Sequence, residues 1–312
     1  MSTNGIRDSR VLVTGGTGSI GTALVQELRR LEAREIRVLA RHERTGRAVH
    51  ALGATEVRFI EADIADTDKL ADAIEGVEVV FHLAALKDVA ACESDPRAAV
   101  RTNVVGSANL LMAASMAQGV RQLIAVSSDK ACAPSGVLGM TKAMMERVVS
   151  QIAEEGRRSF GSVRFGSVWG ASGSVLKRWQ ESAAQERRID VTDPNMTRFV
   201  LNQREAIGHL VALASRPFAG EVVAPRMRAY RLGDLADVFA RGNGVAMRVV
   251  GARAGEKVHE DLVSKGEAPA ARVEGDLIVI GSRREGSGIS PFTSADADPL
   301  SEMELRELVH SS

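Results

Sequence analysis

Along the first half of the chain, short runs of aliphatic and β-branched residues alternate with stretches whose apolar positions recur every three to four residues. Arg10–Thr14 (RVLVT) reads as a strand, and Ser19–Leu31 places Ile20, Leu24, Val25 and Leu28 on one helical face. Ile36–Ala40, Val57–Ile60, Val77–Leu83 and Gln122–Ser127 read as further strands. Thr67–Ile74, Asp95–Gln118 and Met140–Glu154 read as helices. A parallel strand pair needs a crossover connection, so this succession predicts βαβ units and a parallel sheet. The strands are almost continuously apolar, as expected of a sheet covered on both faces. The predicted class is α/β, a doubly wound parallel sheet.

After about Ser167 the pattern loosens. Glycines and prolines punctuate shorter elements at Gly170-Ala171-Ser172-Gly173, Asp193-Pro194, Arg216-Pro217 and Ala224-Pro225. The division expected is residues 9–166 as the main parallel unit, with later segments free to return to it. Residues 167–280 form mainly a smaller second region, and 281–312, polar and weakly periodic, a weakly structured tail.

Composition narrows the function classes. Forty Lys plus Arg balance forty Asp plus Glu, so the basic footprint of a nucleic-acid binder is missing, although a local basic pocket for a phosphate is compatible. No apolar run is long enough to span a bilayer, and Met1–Arg10 lacks the apolar core of a secretory signal, so a cytoplasmic protein without membrane contact is expected. Cys92 and Cys132 lack metal-type spacing and read as reduced thiols. The six histidines are scattered, so no metal site is expected.

The first candidate chemistry lies directly after the first strand. Thr14-Gly15-Gly16-Thr17-Gly18-Ser19-Ile20-Gly21 is a GxxGxxG turn opening a helix. Its glycines suit a tight turn, close approach of a pyrophosphate and close helix packing, and the helix N-terminus offers unpaired N–H groups. A glycine turn without a ligand is the plain alternative; the strand–turn–helix context favours a dinucleotide and hence a Rossmann-type sheet. An acid selecting NAD should end the second strand, but the chain there reads Ala40-Arg41-His42-Glu43-Arg44. Arg41, helped by Arg44, suits the 2′-phosphate of NADP, which is expected over NAD; as surface charges the two arginines would say nothing. Asp63 and Ile64, after the third strand, are candidates to face the adenine, with helix capping as the alternative for Asp63.

Further segments carry a family resemblance. They are Phe81-His82-Leu83-Ala84-Ala85-Leu86-Lys87, Asn103-Val104-Val105-Gly106, Val126-Ser127-Ser128-Asp129-Lys130-Ala131, Val163-Arg164-Phe165-Gly166-Ser167-Val168, Val191-Thr192-Asp193-Pro194-Asn195-Met196-Thr197-Arg198-Phe199 and Arg253-Ala254-Gly255-Glu256-Lys257-Val258-His259-Glu260. With the glycine turn, and over roughly residues 9 to 265, they resemble the extended short-chain dehydrogenase/reductases. The resemblance is to the polysaccharide-biosynthesis branch, the inverting UDP-N-acetylglucosamine 4,6-dehydratases and their relatives. It implies a cofactor site including Gly15, Thr17, Gly18, Ser19, Ile20, Gly21, Ala84, Ala85 and Lys142, and a C-terminal region that binds the nucleotide sugar. It also implies a homo-oligomer assembled through helices that flank the sheet.

The implied chemistry takes hydride from sugar C4 to give a 4-ketone, which acidifies the C5 proton. A base removes that proton, the C6 hydroxyl leaves, and hydride returns at C6; whether C5 inverts is left open. Asp129 and Lys130 match the acid–base pair, and they follow a parallel strand at its carboxyl end, where ligands bind in such sheets. A lysine beside a carboxylate can have its pKa tuned for proton transfer. Read alone, the pair would pass for a surface ion pair. Ser128 matches the family's Ser/Thr and can hydrogen-bond a sugar hydroxyl. Lys142 matches the lysine of YxxxK, which holds the nicotinamide ribose.

Three departures stand out. The tyrosine position is Leu138, which can neither give nor take a proton, so Ser127, Ser128 or the Asp129–Lys130 pair must substitute. Ser167 replaces an asparagine, and Ala254 a proline. Arg198 and Arg253 are the candidate diphosphate ligands because their fixed donors suit bidentate contact, with solvated surface arginines as the alternative. Lys87 and Glu256 are candidates for the sugar and a ribose hydroxyl. Asn103 is either a tether to backbone near the catalytic strand or a plain helix-interior residue. Trp169 and Trp179 read as core. A 4,6-dehydratase acting through NADP is the leading expectation. An epimerase or reductase of the same family, or an NADP-binding protein with decayed catalysis, stands beside it.

Overall fold

A computed structural model describes residues 5–41, 55–156, 158–170, 175–281 and 288–310. Six strands, β1 (Arg10–Thr14), β2 (Glu35–Ala40), β3 (Val57–Glu61), β4 (Val79–His82), β5 (Gln122–Ser128) and β6 (Ser159–Phe165), run parallel in the spatial order 3-2-1-4-5-6. The order reverses between β1 and β4, so a crevice opens beyond their carboxyl ends. The chain continues through β7 (Ser167–Trp169), β8 (Arg188–Val191) and β9 (Thr197–Asn202), and returns to the large sheet as β10 (Val222–Pro225), parallel to β6. Next come β11 (Arg228–Arg231), β12 (Ala246–Val249) and β13 (Asp261–Val263). Strands β14 (Ala271–Glu274) and β15 (Leu277–Ile280) complete the nine-stranded sheet, antiparallel at its far edge. Thus three segments from beyond residue 166 belong to the first unit's sheet. Outside it, β7, β9 and β11 form a small sheet, and β8 pairs with β12.

Both faces of the large sheet are covered. One carries α1 (Ser19–Arg30), whose Leu24, Val25 and Leu28 are fully buried. The other carries α2 (Thr67–Ile74) and two later helices. Before these, the long helix expected over 95–118 is broken: α3 (Val89–Ser94) and α4 (Pro96–Val100) precede a π-helical turn at Arg101–Gly106, then α5 (Ser107–Met116). Asp95 caps α4 by accepting from Ala98 N at 3.0 Å. Within the π turn the Asn103 amide is tied to Leu86 in both directions, accepting from its N–H (2.8 Å) and donating to its carbonyl (2.9 Å). An apolar repeat cannot show a wide turn of this kind, because the helix direction continues through it.

Helix α6 (Val137–Gly156) lies against α5 and buries Met145, Val149 and Ile152. Gly139 meets the turn after β5: a Cβ there would collide with the Lys130 carbonyl oxygen and lie 3.0 Å from Pro134 Cβ. The second region gathers α7 (Val175–Glu186), α8 (Gln203–Leu213) and α9 (Leu232–Asn243), with α8 packing back on α1.

The segment expected as a weakly structured tail is ordered over 288–310. It forms β16 (Phe292–Thr293), paired with β13, and α10 (Glu302–His310). Leu305 is buried among Trp169, Trp179 and Leu232, and Trp169 Nε1 donates to Leu308 O at 3.1 Å. A nine-residue helix with three apolar contacts is too short to announce itself by periodicity; it is held by tertiary packing.

One buried cation joins the halves. All five N–H groups of Arg164 on β6, 2% exposed, are engaged. Nε and Nη2 donate to Glu146 of α6 (2.9 and 2.7 Å), Nη2 and Nη1 to Glu267 (2.6 and 3.2 Å), and Nη1 to Leu262 O (3.0 Å). Arg164→Met would leave two carboxylates buried without their counter-charge. It should lower unfolding stability in urea by about 3–5 kcal/mol; a loss under about 1 kcal/mol would mean that the network contributes little.

Candidate active site at the strand carboxyl ends

The carboxyl ends of β1, β2, β4, β5 and β6 and the second region enclose a cavity of about 1140 Å³. On its cofactor side the chain turns at Gly15, whose φ of +69° and close approach to Ala84 N (2.7 Å from a built Cβ) leave no room for a side chain. Gly18 then occupies the N-cap of α1, so no side chain caps the helix, and its first turn contains no acid. The arrangement fits an anionic diphosphate. Thr17, Ser19, Ile20 and Gly21 line the same wall, as do Arg41, Asp63, Ile64, Ala84 and Ala85. Arg41 is exposed immediately after β2. Arg44 lies outside the described residues. The Asp63 carboxylate accepts from Ala65 N at 2.9 Å; the helix cap of α2 is Asp66.

Where β1 and β4 diverge, a buried hydrogen-bond chain fixes the crevice. Ala84 N donates to Thr14 Oγ1 (3.3 Å), leaving the Thr14 hydroxyl hydrogen for His82 Nδ1 (2.7 Å). Ser107 Oγ donates to Asn103 O (2.7 Å), so it accepts from His82 Nε2 (2.8 Å). Complete burial, with a smaller push from Lys142, lowers the His82 pKa to about 3, so the ring is neutral with its hydrogen on Nε2.

The turn after β5 carries the acid–base candidates. Ser128 Oγ donates to Asp129 Oδ1 (2.9 Å), and Lys130 Nζ contacts both Asp129 Oδ1 (3.2 Å) and Glu260 Oε1 (2.9 Å). Asp129 and Glu260 are 1% and 2% exposed, and their second oxygens, Oδ2 and Oε2, are buried without a partner. Burial raises the Asp129 pKa despite the neighbouring ammonium. For Lys130 burial acts the other way, but Asp129 and Glu260 outweigh it and its pKa is raised. The tuning expected of Lys130 thus runs towards a held cation, a donor rather than a proton acceptor. Glu260 was missed as a site residue; the GEKVHE segment that contains it was its only signal.

The remaining candidates are brought to the same cavity. Leu138, at the tyrosine position, is buried beside Cys92, Ala99 and Leu86, on the side of α6 that receives α3 and α4. Arg198 is largely turned inward: Nη1 donates to Thr197 O (2.8 Å) and Val258 O (3.2 Å), and Nε lies 3.7 Å from Glu260. It therefore sits at the acid–base end. Arg253 is exposed on the rim, and Glu256 caps its turn by accepting from Arg253 N at 3.0 Å. Lys87 stands near the mouth, its pKa lowered by desolvation. Trp169 and Trp179 pack with Leu232, Leu235 and Phe239 but also line the cavity. Among the described residues no group of His, Cys, Asp and Glu could hold a metal, and no helix is long and apolar enough to cross a membrane.

Lys142 Nζ donates to Val126 O (2.7 Å), and burial lowers its pKa to about 8 against the pull of Glu146 and Cys92. The folded value lies below the ordinary 10.5, so between about pH 8 and 10.5 the unfolded chain binds more protons. Stability therefore rises with pH through that window and is lost as pH falls back through it. The melting temperature of the wild type should climb relative to Lys142→Met between pH 8 and 10; parallel profiles would contradict the buried, depressed lysine.

With this geometry established, likeness to known proteins becomes informative. Residues 11–281 match the family model described as polysaccharide biosynthesis protein. The UDP-glucose 4-epimerase of Rickettsia typhi is 33% identical over 269 residues, 82% of this chain and 78% of that protein. The X-ray structure of Pen from Bacillus thuringiensis superposes with a TM-score of 0.91 at 29% identity, covering 98% of this chain and 99% of that one. DesIV, a dTDP-glucose 4,6-dehydratase from Streptomyces venezuelae solved with NAD and TYD bound, shares the fold: TM-score 0.74, 21% identity, 80% of this chain and 86% of that one. This chain is a member of the polysaccharide biosynthesis protein family, an extended short-chain dehydrogenase/reductase of Rossmann fold.

Proposed function

We propose that the chain is a nucleotide-sugar 4,6-dehydratase acting on UDP-N-acetylglucosamine or a close relative through a 4-keto intermediate. The observation that carries the reading is the Lys130 ammonium held between two carboxylates, each with one unpartnered buried oxygen beside the cavity. Gly15, Gly18 and Gly21 would hold a nicotinamide dinucleotide, which would supply the hydride chemistry between sugar C4 and C6.

In this reading Asp129 Oδ2 takes the C4 hydroxyl proton, with Ser128 holding the carboxylate through Oδ1. The raised pKa of Asp129 suits a group that must later give that proton up, here to the C6 hydroxyl as it leaves as water. Glu260 Oε2 removes the C5 proton, exchanges it with solvent, and C5 is reprotonated after C6 is reduced. Lys130, kept cationic, donates to the C4 oxygen and offsets the negative charge that builds there as C5 is deprotonated. The balance is one water lost, made of the C6 hydroxyl and the C4 hydroxyl proton, with the hydride and one proton at C5 returned, and no step needs a phenol at Leu138. Lys142 holds the nicotinamide ribose. Arg253 at the rim meets the diphosphate, Glu256 a ribose hydroxyl and Lys87 the sugar. Arg198, with its donors engaged internally, reinforces Glu260 instead.

For the cofactor we propose NADP, because β2 ends without an acid and Arg41 follows it at the cavity. The NAD in the DesIV structure belongs to a protein alike in fold alone. An epimerase is the second reading, favoured by the Rickettsia relative; it shares the first step but loses no water.

Incubation of UDP-N-acetylglucosamine with enzyme and NADP in D₂O, read by NMR and mass spectrometry, should show loss of water and deuterium at C5. Lys130→Met should abolish C5 exchange with cofactor binding intact; exchange at the wild-type rate would refute the role of Lys130. Turnover without loss of water would favour the epimerase, and an unchanged sugar would count against this substrate. NAD should serve less well than NADP, and Arg41→Ala should erase the difference; better use of NAD by the wild type would reverse the cofactor reading.

We also propose a homo-oligomer. Val105, Met112 and Met116, with Met140 and Met144 on the neighbouring α6, are 46–77% exposed, an unusual concentration of large apolar side chains in water. Light scattering should give at least a dimer, and Met116→Glu with Met144→Glu should weaken it; a monomer at micromolar concentration would rule this out.

A further inference from the structure

The chain contains a single tyrosine, Tyr230, and it does not stand where the resemblance puts one. It lies on β11, in the small sheet that borders the cavity beyond the large one. In the β9–β11 register Tyr230 is opposite Arg198, and in the β7–β9 register Ser167 is opposite Val200. Side chains two apart on a strand share a face, so Ser167, Arg198 and Tyr230 project from the same side. All three line the cavity, together with Asp129, Lys130 and Glu260.

The ring of Tyr230 is 4% exposed and meets Trp169 edge-on, with centroids 6.5 Å apart and planes at 84°. The Ser167 side chain is its neighbouring hydroxyl and acts on its pKa. Each of the two hydroxyls carries one hydrogen that it can donate to a ligand oxygen. Burial raises the pKa of the phenol, which therefore stays protonated at neutral pH. Arg198, Lys130 and Asp129 are its charged neighbours, which places it at the acid–base end of the cavity, away from the glycine turn.

We infer that Tyr230 and Ser167 form a sugar-recognising subsite that donates a hydrogen bond to an acceptor oxygen of the hexose, fixing it over the Asp129–Lys130 turn. The inference rests on the nucleotide-sugar reading and deepens it. Tyr230 is a positioning and specificity residue; no proton of the reaction passes through it. A subsite that holds the sugar contributes to binding the whole nucleotide sugar and nothing to binding the nucleotide alone.

Calorimetric titration of UDP-N-acetylglucosamine and, separately, UDP distinguishes the two. The wild type should bind the nucleotide sugar more tightly than UDP. Tyr230→Phe should weaken the nucleotide sugar about tenfold, the size of one hydrogen bond to a buried site, and leave UDP unchanged. Unchanged UDP binding also shows that the variant is folded. The double variant with Ser167→Ala should lose less than the product of the two single losses, because the hydroxyls act together. Equal wild-type affinity for the two ligands, an unaltered Tyr230→Phe affinity for the sugar nucleotide, or an equal loss for both ligands would overturn the subsite. A wild type that binds neither ligand would instead bring down the nucleotide-sugar reading and the subsite with it.

Discussion

Two cations, the buried Arg164 and the partly buried Lys130, are each held between two carboxylates, and in each case these carboxylates come from both parts of the chain. Lys130 follows β5 and has Asp129 beside it and Glu260 from more than a hundred residues later. Arg164 has Glu146 from the helix behind the sheet and Glu267 from the second region. Removing either cation leaves two carboxylates without their counter-charge, which costs far more than a surface ion pair returns. The two regions are therefore held in register by charge as well as by apolar packing, and the cavity between them has a fixed acid–base end.

The same economy of partners governs the opposite end. His82 is neutral and fully hydrogen-bonded, linking β1, β4 and the π turn at Arg101–Gly106. The wide turn puts Asn103 against Leu86, so the loop after β4, with Ala84 and Ala85, is held beside the glycine turn. A cradle built from backbone tolerates little movement, and these buried side chains are what limit it.

What was legible in the sequence follows from the range of each interaction. The strands and the glycine turn are local, and their residues announce themselves by spacing; the Asp129–Lys130 turn was marked by the family resemblance alone. Nineteen of the positions named from the sequence line one cavity, with Arg44 alone outside the described residues. The partners of buried charges are different: nothing near Lys130 announces Glu260, and nothing near Arg164 announces Glu267. Arg198 was legible as an arginine in a motif, but whether its donors face a ligand or the Thr197 and Val258 carbonyls depends on tertiary placement. The helix at Glu302–His310 was hidden for a similar reason, since its stability comes from the Trp169 and Trp179 cluster rather than from its own nine residues.

Leu138 and Tyr230 are best understood together. At position 138 the side chain meets Cys92, Ala99 and Leu86 and also lines the cavity. Tyr230 has Ser167 as its neighbouring hydroxyl, and Ser167 is itself a departure from the family's asparagine. The leucine on α6 closes the cofactor side with apolar surface. In the proposed reading the acid–base work falls to a lysine between two carboxylates, a set whose protons can be exchanged without a phenol.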